Sequence, residues 1–356
     1  MNTIGVLDHS RLALMPSKYW KAHEFAFFLH DNILHSLMEY EQSGAHNWVT
    51  EAFEVLLKDH QIKDDFDILK FMKERNFIGP YKHHLLSHLV FGLVGDLLNF
   101  LYESLSAFEK RKFSVGWSLL RKPFKENLLF LSWILANEDE FIEKFESNNY
   151  KTLNNIKKEK QIEIFNAAIK KIPNSNAFGG ELLWDYIYSK NHASGFEPTW
   201  QRATHLITSQ GDLLKTEDYS LNLIFESPYS NHHYELLYGT LPYVLIYLSS
   251  IAFECFNRIL KMNERTYNHM GIISMGCYEA LFMKARHLPL IDSLNKNFKP
   301  FLKCIHCSRD IKINKKNAPA MYIRDQLTCD KCGFQSAFPF YWLMGQLKVT
   351  IFAAQE

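Results

Sequence analysis

Four of the six cysteines stand in one stretch, CIHCSRDIKINKKNAPAMYIRDQLTCDKCGF, residues 304 to 334, as two CxxC pairs. Cysteine serves as metal ligand, disulfide partner or redox couple. The spacing Cys304-x2-Cys307-x21-Cys329-x2-Cys332 is that of a structural zinc site. Each CxxC turn brings two thiolates onto one face, and two such turns held by a small antiparallel sheet close a tetrahedral shell of four sulfurs. A closed shell leaves no position for a substrate, so the expected Zn2+ is structural and not catalytic. Metal binding would supply the folding energy that so small a sheet cannot gain by burying apolar area. Gly333, directly after Cys332, relieves the backbone where amides fold back toward the sulfur. Cys255 and Cys277 fall in apolar helical runs and read as buried thiols.

The same region is basic. From Lys299 to Lys348 nine basic residues face three acidic ones, a local charge of +6 in a chain whose net charge is +1. Lys312, Lys315, Lys316 and Arg324 are the candidates for phosphate contact, and Tyr322 and Phe334 offer rings for stacking. A solvated lysine-rich turn on a purely architectural ribbon has the same composition.

A second constellation lies in the middle of the chain. In LLRKPFKENLLF, Arg121 and Glu126 flank Pro123, and in YIYSKNHASGF, Ser189, Asn191 and His192 end a helix. An Arg that neutralises phosphate, a His that moves a proton and a Glu that orients one of them are the parts a phosphodiester reaction needs. Two histidine groups compete as ligand sets: His84 and His88 with Asp96, and His232 with Glu235. In a chain with 16 histidines such spacings also arise by chance. No GxGxxG, Walker-type or GxSxG motif is present, which argues against dinucleotide binding, P-loop chemistry and α/β-hydrolase chemistry.

The elements that must position these residues read as helices. Apolar residues recur at three- and four-residue steps through KHHLLSHLVFGLVGDLLNFLYESLSAFEK, residues 82 to 110, and a second helical run from Phe113 follows after a very short connection. Pro123 predicts a kink or break beside Arg121. Further helices are expected at 157–172, 180–193, 234–263 and 271–286, and before residue 80 in NWVTEAFEVLLKDH and DDFDILKFMKER. The segment 236–253 carries no charge, but Gly239, Pro242 and its serines favour a buried core helix over a membrane span. The stretch 194–230 reads as the longest loop. After residue 298 the pieces DIKINKK, AMYIRDQ and FQSAFPFYWLM favour strands. With 47% hydrophobic residues in 356, the chain can fill a large core. The expected fold is all-α: an N-terminal helical region to residue 80, a helical bundle over 81–298, and a small β zinc ribbon over 299–356. The start of the chain shows no secretory pattern, and the expected setting is cytoplasmic, with no membrane partner.

The order of a long helix, then LLRKPFKENLLFLSWIL with the acidic tail ANEDEFIEKF, then a helix ending in YSKNHAS resembles the HEPN-like helical domains of bacterial defence-associated proteins. The resemblance covers about residues 80 to 290. It implies an α-bundle that often forms a homodimer and, in the active branches, a metal-independent endoribonuclease acting on RNA in a toxin or antiviral setting. Carried over to this chain, the catalytic set is Arg121, Glu126 and His192. Active members hold Arg and His in one short Arg-x4-6-His motif, whereas the short pairs here are Arg202-x2-His205 and Arg265-x3-His269. The alternative is a non-enzymatic zinc-ribbon module that binds nucleic acid or a partner protein, with Arg121 and Glu126 as a buried structural ion pair.

Overall fold

The structure is a computed structural model that describes residues 3–45, 67–147, 155–208 except 174, 230–285 and 287–346, with a few positions between. Near the N-terminus, α1 (His9–Leu12) begins where the Asp8 carboxylate accepts the Ser10 amide, and α2 (Trp20–Gln42) follows. Helix α2 is buried over much of its circumference and takes His23, Glu24 and His30 into the core with its phenylalanines. A short α3 (Ile68–Glu74), capped by Asp67, leads into α4 (Ile78–Glu109), whose 32 residues span about 48 Å at 1.5 Å per residue. Arg111, at φ 57°, turns the chain left-handed so that α5 (Phe113–Lys122) packs back along α4.

At Pro123, where a kink or break is expected, the helix widens into a π-turn, Pro123–Asn127, from which α6 (Leu128–Ala136) continues. A proline lacks the amide for the ladder and crowds the carbonyl four residues back. The wider turn absorbs both defects, and Leu128 donates to the Pro123 carbonyl instead. Asn127 fastens the turn to α4 by donating to Leu93 O and Asp96 Oδ2, at 2.9 and 2.8 Å.

Beyond it come α7 (Glu138–Glu146), α8 (Lys158–Ile169), α9 (Gly180–Tyr188) and α10 (Glu197–Thr204). Helix α10 occupies part of the stretch read as a loop, and residues 209–214, 219 and 223–229 of that stretch lie outside the described residues. The same is true of most of the helix expected in NWVTEAFEVLLKDH. Helix α11 (His232–Ile259) runs unbroken through Pro242, and 78% of its most apolar stretch is buried, the environment of a core helix. Its polar tips are satisfied inside: Tyr234 donates to Phe108 O at 2.8 Å, and the Tyr247 hydroxyl meets that of Ser132 at 3.0 Å. Helix α4 also has the length and hydropathy of a span, with 39% of the corresponding stretch buried.

The last part of the chain packs on α12 (Glu264–Phe282) and α13 (Pro289–Asn297). It holds α14 (Ala318–Arg324), two three-residue strands, β1 (Gln326–Thr328) and β2 (Gln335–Ala337), and α15 (Phe340–Gln346). The strands pair antiparallel, Gln326 opposite Ala337 and Thr328 opposite Gln335. Of the strand expectations, QSA holds as β2, whereas AMYIR is helical, started by Pro319 and stopped by Asp325 at φ 50°, FYWLMGQ is helical too, and DIKINKK pairs only through an isolated bridge from Asp310 to Lys303. Met321 and Tyr322 fill the core against α12, where Gly276 leaves the space that a methyl group would deny to the Tyr322 ring. The ribbon residues Leu302, Ile311, Ile313 and Leu327 thus join the same hydrophobic core as the helices. An all-α bundle with one small β element is the resulting architecture.

Candidate metal centre

Two turns of the same local design converge at the edge of β1 and β2. In the first, Cys304 donates its amide to Arg309 O at 2.9 Å and receives the Ser308 amide at its own carbonyl at 2.8 Å. In the second, Cys329 donates to Phe334 O at 2.9 Å and receives the Gly333 amide at 3.0 Å. The residue after the second cysteine is left-handed in both, Ser308 at φ 57° and Gly333 at φ 73°. Gly333 fits that conformation at no steric cost, and Ser308 accepts a modest strain to match it. Gly333 is legible in the sequence as the residue that takes this turn, whereas Ser308 carries no such mark beyond its shared position after a CxxC pair.

The four sulfurs lie within 4.8 Å of one another. Cys304 Sγ is 3.6 Å from Cys332 Sγ, and Cys307 Sγ is 3.8 Å from Cys329 Sγ. A disulfide would need about 2.05 Å. A tetrahedral ion at about 2.3 Å from each sulfur places sulfurs about 3.8 Å apart, so the donor set fits a four-coordinate thiophilic metal. The chemistry of the thiols agrees. Amides of Cys307 and His306 point at Cys304 and bring its thiol down to about 6. Cys332 receives the Phe334 amide, yet the other three sulfurs crowded against it push it up to about 12. Four thiolates within 4.8 Å of one another repel, and a cation among them would balance their charge. Cys304 and Cys329 are buried and Cys332 is exposed, which places the site at the surface of the core.

Among the described residues this is the one set of His, Cys, Asp and Glu side chains that converges as a metal site requires. The other candidate sets are drawn elsewhere. The rings of His84 and His88 lie 4.4 Å apart, but Asp96 is engaged by Lys122 and Asn127, both at 2.8 Å. Glu235 pairs with Lys18 at 2.8 Å. Cys255 and Cys277 are fully enclosed, and burial pushes both thiols up, that of Cys255 to about 12.

Of the basic candidates, Lys312, Lys315, Lys316 and Arg324 are all exposed. Lys315 donates to Met283 O at 2.6 Å, and Arg324 lies over Gly5. Tyr322 is only 4% exposed and presents no face to a ligand, which removes it from the stacking set. Phe334 is exposed and lies parallel to the His306 ring, at 5.3 Å between centroids and 13° between planes.

The second constellation is partly assembled. Arg121 Nη1 and Glu126 Oε1 are 3.7 Å apart, with side chains 35% and 53% exposed, so they form a rim pair and not a buried one. His192 meets the edge of the Tyr186 ring at 5.4 Å, and its Nδ1 is buried without a hydrogen-bond partner. Neither contact joins it to Arg121 or Glu126. Its segment is nevertheless tied to theirs. Tyr188, at the end of α9, donates to Lys125 O at 2.6 Å, and Lys125 Nζ binds both oxygens of buried Glu197 at 2.7 Å. The π-turn, the end of α9 and the start of α10 thus form one polar junction.

Fold and centre together define a helical bundle with one small β element that carries four cysteines placed to hold a metal ion. No family model matches the chain, and neither a curated protein nor a solved structure does so.

Proposed function

We propose that this chain is a zinc-dependent nucleic-acid-binding protein, with RNA as its target. Zn2+ is the ion that prefers a closed tetrahedral shell of four thiolates, and here it would pin Cys304, Cys307, Cys329 and Cys332 into one rigid ribbon. The observation that carries the reading is that exposed Lys312, Lys316 and Arg324 lie on the segment folded between the two cysteine turns. Phosphate contact by such residues releases counterions, so affinity falls linearly with salt on a logarithmic plot. Changing Lys312, Lys315 and Lys316 together to Gln is expected to weaken binding alike for all sequences. It should also reduce the magnitude of the salt slope by about 2, since each phosphate contact on a single strand contributes about 0.7. Titration by fluorescence anisotropy between low and physiological salt measures it, and an unchanged slope would sink the proposal.

The polar junction favours a second reading, in which the helical body cleaves RNA without a metal. Its support is the solvent-accessible Arg121–Glu126 pair on the π-turn and the tether from the same turn to the helix that leads to His192. In that reading Arg121 neutralises phosphate, His192 shuttles the proton and Glu126 orients one of them. A positioned acid or base contributes about 10²- to 10⁴-fold. His192→Ala and Arg121→Ala are each expected to slow RNA cleavage at least about 100-fold; cleavage and toxicity left intact in both would remove the assignment.

A further inference from the structure

We propose that the tip of the two cysteine turns is a stacking platform for unpaired nucleobases, built from His306 and Phe334. The proposal rests on the nucleic-acid reading above and narrows it to single strands. His306 lies between two ligands, Cys304 and Cys307, and Phe334 lies two residues after Cys332, so each ring is carried by a different turn. The rings nevertheless stack, 5.3 Å apart and 13° from parallel. A metal that locks the turns together therefore also sets the ring pair.

The platform is open. Phe334 is 37% exposed, and the neighbouring Ile305 is 77% exposed, the highest value among the exposed large apolar side chains. Folding leaves this apolar and aromatic surface in water while burying Tyr322 from the same ribbon. Cations flank it along the chain: Lys303 directly precedes Cys304, Lys331 directly precedes Cys332, and Arg309 follows the first turn, all exposed. They outnumber the two carboxylates of the turns, Asp310 and Asp330, and the lysines at 312, 315 and 316 follow. A flat ring face beside phosphate-seeking cations suits a base that extends the stack while its backbone runs along the lysines. A duplex has no base face to offer, because each face already covers another base.

The full-length, metal-loaded chain is titrated with a labelled 12-nucleotide oligo-U and with a blunt-ended, loop-free RNA duplex of the same charge. Phe334→Leu keeps apolar bulk and removes the π face, Phe334→Tyr keeps the face, and metal content in each variant verifies the ribbon. The expected result is tighter binding of the single strand, roughly tenfold weakened by Phe334→Leu and restored by Phe334→Tyr. The salt slope stays unchanged in both Phe334 variants, and duplex affinity does not move. Equal oligo-U affinity for Phe334→Leu and the wild type overturns the platform; if the triple lysine variant still lowers the slope, the nucleic-acid reading stands without it. No binding to either probe overturns both. Self-association abolished by Phe334→Leu, with no RNA bound, makes the tip a protein contact and likewise overturns the proposal.

Discussion

In the zinc-loaded chain of the proposed function, Cys329→Ser is expected to abolish metal retention and to lower the melting temperature of the whole chain by on the order of 10 °C. Cys329 is 1% exposed, and its sulfur lies 3.8 Å from that of Cys307. A serine hydroxyl does not replace a buried thiolate as a ligand for a thiophilic ion, and the remaining three thiols no longer close the shell. The local cost is large because little else folds the turns: β1 and β2 contribute three residues each. Metal binding to small structural sites supplies about 10–16 kcal/mol, and that free energy is folding free energy. The effect spreads because the ribbon is not insulated from the bundle. Met321, Tyr322 and Phe340 belong to the core that α12 completes, so a loosened ribbon uncovers helix surface as well. Cobalt substitution, with its thiolate charge-transfer absorption, measures the site, and calorimetry measures the melting temperature. Cys277→Ser is the control, expected to keep the metal because Cys277 lies fully buried outside the cluster. A Cys329→Ser chain with full metal content and unchanged melting would show that the four sulfurs do not act as one site.

The parts of this structure that were legible in the sequence are those whose cause is local. Four sulfurs must approach one ion from two tight turns, and that requirement is written as CxxC spacing. The helices were legible because a buried face repeats every three or four residues. Reading AMYIR as a strand failed because Tyr322 and Ile323 favour strands by type, while Pro319 at the first helical turn and the space over Gly276 decide the outcome. Gly276 is distant in the chain, so no window around Tyr322 shows that its ring is buried. The same limit applies to the junction at Pro123. Arg121 and Glu126 pair along their own helix, within reach of a sequence pattern. The placing of His192 depends on Tyr188 meeting the Lys125 carbonyl, a contact made by tertiary packing alone. The network around Glu109 was missed entirely, since its members are single polar letters scattered through apolar runs.

Replacing Glu109 by alanine is expected to destabilise the fold by about 2–3 kcal/mol, because the carboxylate is buried while the Arg11 side chain it pairs with stays partly in water. Glu109 is 3% exposed at the end of α4. Arg11 grips it with two nitrogens, Nη2 at 2.5 Å and Nε at 3.0 Å, and His23 Nε2 reaches the same carboxylate at 3.2 Å. The other ring nitrogen of His23 meets the Tyr238 hydroxyl at 2.6 Å, which links α2, α4 and α11 through one polar chain. Without the carboxylate, Arg11 loses its anion and His23 loses a partner inside the core. The network also sets the response to acid. Burial holds the His23 imidazole below its usual value despite the carboxylate, so the unfolded chain takes up a proton near pH 6.5 that the folded chain resists. Burial would raise Glu109, but hydrogen bonds from His23 and Arg11 outweigh it and hold the acid below the ordinary carboxylate range. Both groups bind protons more readily in the unfolded state, so stability falls as pH drops from 7 through 6.5 and again below about 4.5. Glu109→Gln keeps an acceptor for Arg11 and is expected to cost less than alanine while flattening the limb below 4.5. Urea unfolding of the three chains at pH 7, 5 and 4 measures both effects. An alanine variant within about 0.5 kcal/mol of the wild type would place Glu109 among residues that stability does not depend on.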